Sequence, residues 1–235
     1  MFAHKTIQRL CTNARAFYRS KISPFASVRE SDLPIEETAL NDELAAQGLT
    51  PKDYTIDIAD FTLWKEKTRM LYPSKYRTGY GVYFEEKCLE HYLSLQFTPI
   101  DEHIVIIDVA NAGSPFPPIA SALGATVYQN DIIFPEGIRR ISERIYEVGG
   151  NACTLPLPDG FADLMVLHCA FEMFEGEHDS RLIREASRVL KSGGTMLIVP
   201  LYLSNSYHIL CDLGASRAGC PYDPGAKIIY RPGFY

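Results

Sequence analysis

Residues 103–114 read His-Ile-Val-Ile-Ile-Asp-Val-Ala-Asn-Ala-Gly-Ser. Within them Ile104 to Val109 is apolar except for Asp108. A run this short, rich in β-branched residues and closed by turn residues, predicts a strand buried on both faces. Asn111, Gly113 and Ser114 supply the turn chemistry. Ser114 then predicts a helix N-cap, with Pro115 at the first helical position. A doubly buried strand leading through a tight turn into a helix is the opening unit of an α/β sheet.

The pattern recurs downstream. Thr126 to Asn130 reads as a second strand ending at Asp131, Ile145 to Val148 as a third and Leu164 to His168 as a fourth. Thr195 to Pro200 is a fifth, after the Gly193-Gly194 turn. Ile119 to Leu123, Glu136 to Arg144 and Asp179 to Leu190 read as the intervening helices. The expected fold is α/β, Rossmann-like and doubly wound, with a mainly parallel sheet. Ligands of such sheets bind outside the carboxyl ends of the strands. The turns 108–114, 131, 150–153 and 168–172 should therefore line one crevice.

Four stretches in these turns carry a resemblance. They are Ile107-Asp108-Val109-Ala110-Asn111-Ala112-Gly113-Ser114, then Asp131 twenty-three positions after Asp108, then Gly150 to Gly160, and finally Arg188-Val189-Leu190-Lys191-Ser192-Gly193-Gly194. In order and spacing, residues 104–200 resemble the core of a class I S-adenosylmethionine-dependent methyltransferase of the type 11 kind. The resemblance implies S-adenosyl-L-methionine as cofactor and a small-molecule acceptor. It implies that Asp131 accepts from the ribose hydroxyls and that Asn151 and Ala152 face the adenine. The loop of Asp108, Ala110, Asn111, Ala112 and Gly113 would approach the methionine portion, and His168 and Cys169 would contact the cofactor from strand four. Asn151 stands where the family usually has Asp, and Ala110, Ala112 and Ser114 where it usually has Gly. Alanine serves there where φ is negative, with a methyl group added to the crevice.

No catalytic residue is assigned. Glu172, His178, Tyr202 and His208 follow strands four and five and are candidate bases. His168-Cys169-Ala170-Phe171 stands where amide and adenine methyltransferases carry Asn-Pro-Pro-aromatic, which lowers the case for those acceptors. Two other classes compete. One is a methyltransferase-fold binding protein without turnover, supported by the altered glycine loop. The other is an NAD-dependent oxidoreductase, which also places an acid about 20 residues after a Gly-rich turn, although the chain has no G-x-G-x-x-G.

Residues 1–98 read as an N-terminal helical cap and 99–235 as the methyltransferase domain. In the cap, 4–20, 35–47 and 80–95 show helical periodicity, and Thr50-Pro51 resembles a helix start. Trp64, Tyr72, Tyr76, Tyr80, Tyr83 and Phe84 are a candidate acceptor wall, or plain packing against the sheet. Only 35 residues follow Pro200, with Lys227 to Tyr230 as a further strand. An abbreviated sheet, or a fragment, is expected there.

Composition excludes other classes. The chain has 235 residues, 46 % hydrophobic and 22 % charged, which fits a globular protein and not a disordered or collagenous one. Net charge is −6, against a nucleic-acid partner. No apolar run approaches the ~20 residues of a membrane helix. Six cysteines without a CxxC pair read as free thiols in a reducing compartment, hence a cytoplasmic protein, monomer or homodimer. Cys88 and His91 stand at i and i+3, but no further ligand lies nearby, so no metal site is expected. Residues 1–29 carry six basic groups and no acid. That pattern also fits an organelle-targeting segment or a membrane-surface helix.

Overall fold

The computed structural model describes residues 37–74, 83–111, 113–201, 208–211 and 226–230. The chain forms two compact units. One comprises residues 1–53 and 203–235. Its described parts are helix α1 (Glu37–Ala46) and a parallel strand pair, β6 (His208–Cys211) with β7 (Lys227–Tyr230). The strand expected at Lys227 to Tyr230 is thus present. The other unit, residues 54–202, carries the main sheet.

Before that sheet come α2 (Ile58–Thr68), a 3-10 turn (Arg69–Leu71) and α3 (Tyr83–Gln96). The start expected at Thr50-Pro51 does not form. Asp57 caps α2 instead, its side chain accepting from Asp60 N at 3.0 Å. An aspartate three residues ahead of a second acid satisfies an orphan N–H and favours the positive helix end.

The sheet comprises β1 (Val105–Val109), β2 (Thr126–Arg140), β3 (Ile145–Gly149), β4 (Ala162–His168) and β5 (Leu190–Val199), in the order β3-β2-β1-β4-β5. Helices α4 (Phe116–Ala122) and α5 (His178–Val189) complete the unit. Strands β1, β2 and β4 pair in parallel, with Ile107 between Tyr128 and Met165. The period of two divides the core. Ile107, Val109, Met165 and Leu167 pack with Leu182, Ala186 and Val189 of α5. Ile106, Leu164 and Val166 pack with Phe116 and Ala120 of α4. Each such side chain removed from water stabilises by about 1.5–3 kcal/mol. The Rossmann-like doubly wound sheet is the expected one.

The connection from β2 to β3 is not. Glu136 to Arg144 forms no helix; β2 continues to Arg140 and a turn follows. Asn130 faces Val148 in the first pairing with β3, whereas Ile138 faces Val148, Arg139 faces Glu147 and Arg140 faces Tyr146 in the second. The second stretch therefore runs back down the far side of β3, antiparallel to it. Gly137 at φ +98° and β-branched Ile138 disfavour helix. The Arg139–Glu147 ion pair fixes the register. To reach the far side the chain crosses the end of β3 at Gly149, where a Cβ would sit 1.8 Å from the Pro135 carbonyl oxygen.

The loop between β3 and β4 is pinned by Arg188 of α5. Its guanidinium donates to the carbonyls of Leu155 (3.1 Å) and Leu157 (2.8 Å) and pairs with Asp159 (2.7 Å) and Glu185 (2.6 Å). Glu185 also accepts from Leu155 N at 2.6 Å. Its pKa is held below the ordinary carboxyl value by Arg188 first, against the opposing effect of burial.

Gly149→Ala should cost more than about 3 kcal/mol in urea unfolding, since backbone must move. Gly137→Ala, which meets open space, should cost only the 1–2 kcal/mol of a left-handed alanine. Arg188→Met should cost about 2–4 kcal/mol by leaving Glu185 unpaired. The Glu185 contribution is full above its ordinary pKa and is lost as pH falls below it. Acid unfolding of wild type should therefore be steeper than that of Arg188→Met.

Candidate functional site

The turns after β1, β2, β3 and β4 meet at one end of the sheet. Asp108, 1 % exposed, closes β1. Asn111 Nδ2 donates to Asp108 Oδ2, and Asn111 Oδ1 accepts from Gly113 N at 3.1 Å. Asn111 N donates to Asn130 O at 3.0 Å, tying the loop to β2. These bonds hold Ala110 at φ +53°. The negative φ that would suit an alanine is absent, and the residue carries left-handed strain of about 1–2 kcal/mol. Gly113, at φ +78°, carries none. Ala112 lies outside the described residues. Ser114 Oγ accepts from Phe116 N at 3.2 Å, but Pro115 rather than Ser114 is the cap residue.

Asp131, 7 % exposed, ends the parallel part of β2, and its Oδ1 accepts from Ile133 N at 3.0 Å. Its register partner is Gly149. Asn130 Nδ2 donates to the Val148 and Gly150 carbonyls and locks the ends of β2 and β3 together. Asn151 is exposed, with Oδ1 accepting from Cys153 N at 2.9 Å, and Ala152 is buried. The acidic and amide side chains thus stand at adjacent strand ends.

His168 closes β4. Its Nε2 lies 2.8 Å from Ser94 Oγ of α3, and its Nδ1 lies 3.5 Å from Asp108 Oδ1 with no hydrogen bond. Its ring packs on Phe116 at 4.5 Å and meets His91 of α3 edge-on at 4.8 Å. His91 is fully buried, with Nδ1 2.8 Å from the Tyr72 hydroxyl and Nε2 3.5 Å from Ser114 Oγ. Burial first, then His168 and Lys87, hold its pKa well below the ordinary imidazole value. It is neutral, with its two ring nitrogens facing the Tyr72 hydroxyl and Ser114 Oγ. Cys169, at φ +46°, donates to Glu90 Oε1 at 3.1 Å, and Lys87 donates to the same carboxylate at 2.8 Å. Burial pushes the Cys169 thiol up to about 11, so it is not a reactive thiolate.

Helix α3 therefore lies over the turns after β1 and β4 through Glu90, His91 and Ser94, three residues that sequence reading did not place in the site. The signal was available: polar residues at helical spacing within the otherwise apolar face of Cys88, Tyr92 and Leu95. Cys88 and His91 do not converge on a metal, since His91 Nδ1 is spent on Tyr72 and Cys88 packs with Tyr72 and Ile119. Among the described residues the one group of three donors within reach is Glu86, Glu90 and Cys169. Lys87 already occupies Glu90.

Of the candidate bases, Glu172 is exposed and His178 Nδ1 donates to the Glu175 carbonyl at 2.7 Å. Tyr202 lies outside the described residues, and His208 belongs to the other unit. Of the aromatic wall, Tyr72 and Phe84 stack edge-on, and Trp64 meets Tyr92. Tyr76 and Tyr80 lie outside the described residues, as does the Tyr83 side chain. Cys88, Cys153 and Cys169 are free thiols. No described helix is long and apolar enough to cross a membrane.

Because His91 is neutral when folded and protonates in the unfolded chain, stability should be full above pH 6.5, its ordinary pKa, and fall as pH drops below it. The expected slope from this group is about 1.4 kcal/mol per pH unit. Urea titrations of His91→Gln should lack that slope. Ala110→Gly should raise stability by about 0.5–1 kcal/mol, the relieved strain exceeding the entropy of glycine.

The family model described as "Methyltransferase domain" matches residues 107–198. No curated protein sequence matches the chain. Solved structures similar to it include the [4+2]-cyclase SpnF, at 22 % identity and TM-score 0.38 over 46 % of this chain and 43 % of that one. A proposed S-adenosyl-L-methionine-dependent methyltransferase from Methanococcus maripaludis is 18 % identical, with TM-score 0.39 over 64 % and 67 %. A Haemonchus contortus phosphoethanolamine N-methyltransferase, in complex with phosphomonomethylethanolamine and S-adenosylhomocysteine, is 17 % identical, with TM-score 0.38 over 47 % and 27 %. The chain thus aligns with less than half of the cyclase, about a quarter of the Haemonchus enzyme and about two thirds of the Methanococcus protein. Residues 107–198, which hold most of the sheet and the turn motifs described above, are similar to a methyltransferase domain over less than half of the chain.

Proposed function

We propose that the chain transfers a methyl group from S-adenosyl-L-methionine to a small-molecule acceptor by in-line displacement. The observation that carries this is the pairing of Asp131 and Asn151 at adjacent strand ends beside the turn after β1. A buried carboxylate suits a vicinal diol, which it accepts from with charge-assisted bonds. An exposed amide offers a donor and an acceptor to a heterocycle edge. The residues present fit the cofactor in kind. Asp131 would hold the ribose, Asn151 and Ala152 the adenine, and Asp108 to Gly113 with His168 and Cys169 the methionine end.

When bound, the cofactor supplies a methyl group already activated on a sulfonium. The protein's task is then placement more than acid–base chemistry. Asn111 keeps the Asp108 carboxylate in one orientation. Ser94 fixes the His168 ring through Nε2, and the ring's packing on Phe116 turns Nδ1 toward Asp108. Helix α3, through His91 and Ser94, shields this end of the sheet from water. Glu172, exposed after β4, is one described candidate to receive an acceptor proton, and a proton-free acceptor needs no base. Helices α2 and α3, which belong to the same unit as the sheet, would act as a cap over the acceptor.

A binding protein without turnover is the second reading, favoured by the strained alanine in the loop. Calorimetry with S-adenosylhomocysteine and with NAD separates the classes. Binding of the former and not the latter is expected, weakened about 10- to 100-fold by Asp131→Ala through loss of charge-assisted bonds. NAD binding alone, or equal binding by Asp131→Ala, contradicts the proposal. Binding with no transfer to any acceptor in a metabolite extract supports the second reading.

A further inference from the structure

Residues 136–140, Glu-Gly-Ile-Arg-Arg, form the outermost run of the sheet. One side pairs with β3, and among the described residues nothing pairs with the other. A bare edge presents a row of backbone donors and acceptors, which proteins usually blunt with charged side chains, lysine above all, or with proline. Residues 136–141 contain no lysine or proline, and their charges, Glu136, Arg139 and Arg140, are of both signs, so they can pair across an edge as well as repel. Ile138 is 48 % and Ile141 49 % exposed.

We infer that this edge pairs antiparallel with the same edge of a second copy of the chain, about a two-fold axis at Ile138, joining the two sheets. The register follows from geometry. A two-fold perpendicular to the sheet keeps every side chain on its own face, so facing residues are an even number apart and the axis passes through a residue. Centred on Ile138, the pairing sets isoleucine against isoleucine. It also sets Glu136 of each copy against Arg140 of the other. Centred on Arg139, it would face arginine with arginine. Centred on Gly137, it would form no charge pair and would set Pro135, which has no N–H, opposite Arg139.

The side chains are disposed for the first register. Glu136, Ile138 and Arg140 share one face. Glu136 is exposed and forms no ion pair among the described residues. Arg140 is exposed and bonds only the turn carbonyls of Ser142 and Glu143, at 3.0 and 3.3 Å. Those bonds hold the guanidinium near the turn and leave Nη1 for a carboxylate. Arg139 is on the opposite face and already committed to Glu147. Opposite charges facing across an antiparallel pair stabilise it, and like charges destabilise it. A five-residue edge buries little area, so the dimer is concentration-dependent rather than permanent. This inference is independent of the methyltransferase reading.

The test is sedimentation velocity of the full chain over a concentration series, with circular dichroism to verify folding. Wild type should pass from monomer to dimer. Glu136→Arg alone, and Arg140→Glu alone, should each weaken the dimer at least about tenfold. The double variant, which exchanges the charges, should restore it. A wild type that stays monomeric at its highest soluble concentration overturns the inference. So does a dimer that survives both single substitutions, or a double variant no better than the singles.

Discussion

The buried carboxylate of Asp108 constrains everything around it. It sits at 1 % exposure at the end of the central strand. A buried carboxylate needs polar neighbours. Asn111 is one, donating from the loop, and His168 Nδ1 stands 3.5 Å away, without a hydrogen bond, at the end of β4. His168 in turn reaches Ser94 of α3. One acid thereby gathers the first turn, the fourth strand and the overlying helix at the end of the sheet where such folds bind ligands. The left-handed alanine at 110 is a consequence, since the loop must turn back sharply for Asn111 to reach both Asp108 and β2.

Much of this was legible in the sequence, for local reasons. The strand at 105–109 declares itself because both its faces are buried, so no polar residue except Asp108 can interrupt it. Asp131 was visible as the acid at the end of the second strand, twenty-three positions after Asp108, where the resemblance places one. The Arg188-to-Gly194 stretch was visible as a motif, although its physical work, pinning the 155–159 loop through three contacts of one guanidinium, was not. That work depends on carbonyls some thirty residues away, which no local pattern reveals.

The misses share that cause. Glu136 to Arg144 has helical spacing of a sort, but a free side of β3 and the crossing allowed by Gly149 recruit it as a strand. Tertiary pairing overrides weak local preference. His91 was weighed only as a metal ligand beside Cys88, and Ser94 not at all, because their partners, Tyr72, Ser114 and His168, come from three other segments. Ala110 could be read as tolerable only on the assumption of negative φ, and the loop's hydrogen bonds impose the opposite sign.

The central claim is that the end of the sheet organised by Asp108 is a cofactor site with Asp131 on the ribose. A crystal structure with S-adenosylhomocysteine tests it most directly. The expected result is electron density along the turns after β1, β2 and β3, with both ribose hydroxyls on the Asp131 carboxylate and the adenine against Asn151 and Ala152. Density elsewhere on the chain, or a ribose that makes no contact with Asp131, would contradict it.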